Sequence, residues 1–156
     1  MLPSQCSFEF LNLNLQKLFT LKYHKPSTFS PEPDNCFFNV CVQINQKGGN
    51  VQYGWIIGQD KSQGFAEARF HAVWRDEDET LIDVTPRSNG EKRIMFVSDS
   101  LRQITLSDHY GNPAILTYDN VRMWRGRLIT GIERIKVVPD PEFLYKHGLA
   151  FKNANP

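Results

Sequence analysis

Cysteine is scarce: Cys6, Cys36 and Cys41 are the only three in 156 residues, and no two form a Cys-x-x-Cys pair. An odd, widely spaced set of this kind excludes a disulfide framework and a structural zinc site, and points to reduced thiols in a cytoplasmic setting. An excess of one charge is also missing. Eighteen Lys and Arg stand against seventeen Asp and Glu, a formal net charge of +1, so no field draws the chain to nucleic acid or to an anionic membrane. Long apolar runs are absent too, and the opening "MLPSQCSFEFLNLNLQKLF" has neither a basic leader nor a continuous apolar core. Neither membrane insertion nor export is expected.

What is present suits an ordinary folded domain. Apolar residues make up 40% of the chain and eleven Phe with three Trp promise a substantial core, so a single domain over 1–156 is expected, with its core in 34–100 and an extension of strands and loops in 101–156. Residues 8–23 mix alternating and helical spacing and are read as helix. "KPSTFSPEPDN", residues 25–35, carries three prolines and reads as a loop. A helix over 35–47 follows, capped by Asp34 or Asn35, with Phe37, Val40, Cys41 and Ile44 on its apolar face and Gly48-Gly49 closing it. From Val51 the spacing turns to period 2. "VQYGWIIG", "FAEARFHAVW" and "TLIDVTP" read as three strands of a meander, and "RIMFVSDS" as a fourth. Beyond Ser100 strand-like segments alternate with loops, and "PEFLYKHG" reads as a short helical turn. The expected class is α+β, a helix packed on an antiparallel sheet.

Two titratable residues stand inside the apolar strands. Alternation puts Glu67, Arg69, His71 and Val73 on one face of "FAEARFHAVW", and a hairpin that pairs Trp74 with Thr80 sets His71 opposite Asp83. That spacing permits an imidazole–carboxylate hydrogen bond. Cys36 falls in the first turn of the expected helix, where the macrodipole and the free N–H groups favour a thiolate. A thiolate, a histidine and an aspartate that fixes the histidine's tautomer form an activated nucleophile. Glu67 and Arg69 read as a mutually paired edge, Trp55 and Trp74 as core, and "RDEDE" as a solvated turn. His24, His109 and His147 are placed in loops without ligand-like spacing, and neither metal nor cofactor is expected.

"NCFFNV", "HAVW" and "DVTP", over residues 34–86, resemble the papain-like and transglutaminase-like thiol enzymes. Those enzymes present Cys at a helix start, then His and Asp on adjacent strands, in that chain order. The transglutaminase-like branch shows His-Ala-Trp and Asp-Pro-Thr where this chain has His71-Ala72-Val73-Trp74 and Asp83-Val84-Thr85-Pro86. The resemblance implies Cys36 as nucleophile, His71 as general base and acid, and Asp83 as orienting group, acting on an amide or isopeptide bond of a protein or peptide. The alternative from another class is a non-catalytic binding or adaptor domain on the same fold, with the three residues serving packing.

Overall fold

The longest strand pairing joins the two most β-prone segments of the sequence. β2 (Asn50–Asp60) and β3 (Phe65–Arg75) run antiparallel in unbroken register from Asn50 opposite Arg75 to Asp60 opposite Phe65. The computed structural model describes residues 17–149, and among them it adds β1 (Leu18–Lys22), α1 (Cys36–Lys47), β4 (Leu81–Ile82), β5 (Arg93–Ser98), β6 (Thr105–His109), β7 (Asn112–Tyr118), β8 (Val121–Trp124), β9 (Arg127–Thr130), β10 (Arg134–Val137) and α2 (Pro141–Lys146). One sheet has the order β1-β5-β2-β3-β8-β9, with β4 also on β3, and a second has the order β10-β7-β6. All of these pairings are antiparallel. The chain is therefore a mixed α/β protein, mostly antiparallel sheet with two helices.

Three apolar clusters hold it. Phe38, Val40 and Val42 of α1 pack with Ala72, Val84, Ile104, Ile115, Phe143 and Leu144. Trp55, Ile57, Ala66, Ala68, Val97 and Val121 form a second cluster. Leu21, Ile56, Val73, Ile94 and Phe96 form a third. Burial of large apolar side chains at roughly 25 cal/mol per Å² is the main force behind this arrangement. Trp55 is fully buried, as the sequence suggests, and its indole N–H donates to Asp99 at 2.8 Å.

One gap in the sheet positions everything that follows. The outer edge of β3 is shared by two short strands: β8 pairs with Phe65–Ala68 and β4 pairs with Trp74 and Arg75. Residues 69–73 have no strand on that side, and the start of α1 lies there. The loop before α1 is fastened to the chain that leaves β4. Asp34 N–H donates to the Pro86 carbonyl at 3.1 Å, Ser88 donates to the Asp34 carboxylate, and Asn39 of α1 donates to Thr85 Oγ1 at 3.1 Å.

The structure corrects several expectations. Residues 18–22 are an edge strand, not helix, because β5 offers Leu21 a partner in Ile94 and a place in the core; residues 8–16 of the expected 8–23 helix lie outside the described residues, as does Cys6. The meander breaks at the fourth strand, since β5 pairs with β2 and β1, not with β4. The third strand is two residues long, not 80–86, because the chain turns at Asp83 to bridge Tyr23, where His24 N–H donates to the Asp83 carbonyl at 2.9 Å. His109 ends β6 instead of lying in a loop. The buried face of α1 is Phe38, Asn39, Val40, Val42 and Gln43, turned from the expected one because the Asn39 amide is needed inside to hold Glu32 and Thr85.

Candidate active site

Cys36 is the first residue of α1, and no side chain caps that helix start. The expected caps are engaged elsewhere: the Asn35 amide donates to Glu32 at 2.9 Å, and Asp34, at φ 60°, takes the Ser88 hydroxyl. The first helical bond runs from Asn39 N–H to the Asn35 carbonyl at 3.1 Å. The N–H groups of the first turn thus have no helical partners, and with the macrodipole they favour negative charge at this helix start.

His71 comes from the gap in β3. Its partner across the sheet is Gly54 of β2, where a Cβ would stand 2.2 Å from the Val97 carbonyl and 2.4 Å from Phe96 Cζ. The glycine lets Phe96 lie edge-on to the His71 ring, at 6.3 Å between centroids and 74° between planes. The third residue arrives by a different register from the expected one. Trp74 pairs with Ile82, not Thr80, a slip of two positions that keeps every side chain on its face. Asp83 therefore still turns to His71, and its Oδ1 lies 3.0 Å from Nε2. The Thr85 N–H donates to the same oxygen at 3.3 Å.

All three residues named from the sequence meet. Nε2 is occupied by Asp83, which leaves Nδ1 as the ring nitrogen for the Cys36 thiol, with which His71 shares a side-chain hydrogen bond. The Ala72 backbone N–H, unclaimed by any strand, also donates to the sulfur. Burial alone pushes the Cys36 thiol up, but the His71 charge, the His71 hydrogen bond and the Ala72 N–H outweigh it and the opposing Asp83 carboxylate, holding the thiol below its ordinary value. Burial likewise lowers His71, yet Cys36 and Asp83 carry it up to about 9. Asp83 is driven up by its own burial and down further by His71 and Arg87, so it stays below the ordinary carboxylate value. Cys41, on the same helix, is pushed up to about 11 by burial and by Cys36. The two thiols are thus shifted in opposite directions.

Sequence reasoning missed two residues here. Arg87 donates from Nη1 to Asp83 Oδ2 at 2.8 Å, and its Nη2 lies 3.2 Å from His71 Nε2. Its only sequence signal is its place directly after the Asp-Val-Thr-Pro block, where it reads as part of a turn. Asn39 anchors the helix entry and had no signal beyond a polar residue at a buried position. Glu67 and Arg69 pair at 3.5 Å as expected, and Arg122 joins Glu67 at 2.9 Å.

Cys36 opens on two cavities. One, of about 260 Å³, holds His71, Arg87, Thr85, Arg69 and Asn120. The other, of about 370 Å³, has apolar walls from Phe37, Phe70, Ile104, Ile115, Ile135 and Val137; the carboxylates of Glu32, Asp34, Asp119 and Asp140 also line it, with no basic side chain. Among the described residues no group of three His, Cys, Asp or Glu is placed to hold a metal ion, and no helix is long and apolar enough to cross a membrane. No family model matches the chain, and neither a curated protein nor a solved structure matches it.

Proposed function

We propose that this protein is a thiol enzyme that attacks amide or isopeptide acyl groups of a protein or peptide, with a core related to the papain-like and transglutaminase-like enzymes. The observation that carries the reading is the delivery of Cys36, at an uncapped helix start, to a histidine whose far nitrogen is held by a buried aspartate. Packing alone has no need of a lowered thiol beside a raised imidazole.

The chemistry follows from the contacts. Cys36 gives its proton to His71 Nδ1 and its sulfur attacks the carbonyl carbon. The oxyanion is stabilised by the N–H groups of the helix start that have no helical partner. As the C–N bond breaks, the Nδ1 proton passes to the departing amine and a thioester remains on Cys36. Water or an amine then attacks the thioester, His71 takes the proton from it, and the thiol is regenerated. Asp83 keeps the remaining ring proton on Nε2 throughout. The larger cavity, of about 370 Å³ with apolar walls and acidic residues around it, offers the route by which substrate reaches the sulfur.

Iodoacetamide alkylation read by peptide mass spectrometry tests this. Cys36 is expected to react at pH 6–7 at least a hundredfold faster than Cys41, and p-nitrophenyl acetate is expected to leave an acetyl group on Cys36 alone. Equal rates for the two cysteines, with no acyl adduct, favour the binding-module reading.

A further inference from the structure

Arg87 is buried to a degree that its place in a polar turn does not explain. Its side chain is 3% exposed and that of Asp83 is 1%. Nη1 donates to Asp83 Oδ2 at 2.8 Å and to the Thr85 carbonyl at 2.9 Å, and Nη2 lies 3.2 Å from His71 Nε2. Nε, also buried, has no partner. A guanidinium buried only for stability is expected to satisfy all its donors, because an unmet buried N–H costs about 1–3 kcal/mol. Here one donor is given up and the other two nitrogens are aimed at the carboxylate and the ring.

We infer that Arg87 is a positioning residue of the same site: a permanent countercharge that keeps Asp83 ionised and fixed whichever protonation state His71 holds, and that eases release of the His71 proton. The inference rests on the thiol-enzyme reading. His71 alternates between imidazolium and imidazole during turnover. When it is neutral, the fully buried Asp83 carboxylate keeps the Nε2–H bond but no longer faces a positive charge there, and a buried anion without a countercharge pulls the proton back to the ring. Arginine does not deprotonate, so Arg87 remains as the counterion. Its Nη2, beside Nε2, also opposes additional positive charge on the ring. Both effects favour transfer of the Nδ1 proton to the leaving amine.

The other groups facing His71 do not supply this. α1 contributes Cys36, β2 contributes Gly54, which has no side chain, and β5 contributes the uncharged Phe96. Tyr23 beyond β1 feels the Asp83 charge but is a neutral phenol at working pH. Asp34 and Arg69 line the same cavity; Arg69 is paired with Glu67, and Asp34 holds Ser88.

The test is the pH profile of iodoacetamide alkylation at Cys36 in wild type, Arg87→Gln and Arg87→Lys, with folding checked by circular dichroism. Alkylation rises once as the thiolate–imidazolium pair forms and again as the imidazolium loses its proton. In Arg87→Gln the second rise is expected to move to higher pH by roughly one unit or more, because a neighbouring cation has been removed. Arg87→Lys, which keeps the charge, is expected to return the rise toward its wild-type position. A second rise unmoved in folded Arg87→Gln overturns the inference. So does failure of both variants to fold, which assigns Arg87 to the fold alone. Should Arg87→Gln alone fail to fold, the wild-type profile is compared with Arg87→Lys, and a rise in Arg87→Lys displaced as far as one unit overturns the countercharge role. A wild type with no early thiolate at Cys36 defeats the thiol-enzyme reading itself, a result distinct from all of these.

Discussion

The Cys36 thiol accepts a hydrogen bond from the backbone N–H of Ala72, a donor on the stretch of β3 that neither β4 nor β8 covers. In a complete sheet that N–H belongs to a neighbouring strand. Here it belongs to the sulfur, and the next side chain back along the strand is the imidazole that shares the thiol's proton. The site is thus a vacancy in strand pairing filled by a helix start.

Cys36→Ser is expected to stay folded and lose turnover, because the hydroxyl fits the helix start but supplies no thiolate. Cys41→Ser is expected to keep activity and lose about 1 kcal/mol or more, since a hydroxyl replaces a largely enclosed thiol. Thermal melts and acetyl-adduct formation, measured on both proteins, separate the two effects. A Cys36→Ser protein that still turns over removes Cys36 from the nucleophile's role.

Gly54→Ala is expected to destabilise the protein by roughly 1–3 kcal/mol, because the new methyl meets the Val97 carbonyl and the Phe96 ring. Phe96 must then move against His71, so the early alkylation of Cys36 should weaken as well. Gly58, where a Cβ meets nothing within 4 Å, is the control: Gly58→Ala should leave reactivity unchanged. Loss of reactivity in both variants, or in neither, contradicts this account.

Asp83→Asn is expected to cost stability as well as activity, which goes beyond the tautomer role suggested by the sequence. The substitution leaves the Arg87 guanidinium buried without its carboxylate, and breaking such a pair costs about 3–5 kcal/mol. The sign of the pH dependence follows from the native carboxyl lying below its ordinary value of 3.8. The stabilisation is present above that value and is lost as pH falls through the native one. The gap in melting temperature between wild type and Asp83→Asn should therefore be full at pH 6 and close below about pH 4. A gap that is constant with pH denies the ionic contribution.

Charge should select what reaches Cys36. The carboxylates of Glu32, Asp34, Asp119 and Asp140 around the larger cavity favour a cation there. A trimethylammonium methanethiosulfonate is expected to modify Cys36 faster than its sulfonate counterpart, and Asp119→Asn should narrow the ratio. High salt should narrow it too. A faster sulfonate reagent places the approach on the Arg69 and Arg87 side.

The sequence made the central part of this arrangement legible. Period-2 spacing located β2 and β3, the proline-rich loop and the Gly48-Gly49 pair bounded α1, and the three candidate residues meet. The hairpin register was two residues off, yet side-chain direction repeats every two residues, so His71 and Asp83 still share a face. What stayed hidden depends on distant partners. Leu18–Lys22 is a strand only because β5 lies 75 residues away for it to join, as in the Thr20–Met95 contact. Arg87 acquires its role only where the chain folds back from Asp83, and Asn39 only where Glu32 and Thr85 meet it.

The fastening of the Asp83 segment has a consequence for the order in which the molecule assembles. Asp83 is held by Tyr23 and His24 at the end of β1, Thr85 by Asn39 in α1, and His71 by a strand at the middle of the large sheet. Bringing such distant segments together is entropically slow and comes late in folding. A growing or partly opened chain is therefore expected to carry an ordinary thiol, and the reactive sulfur to arise in the last step. Pulsed alkylation during refolding should show Cys36 gaining its low-pH reactivity only after the β2–β3 amides are already protected from exchange.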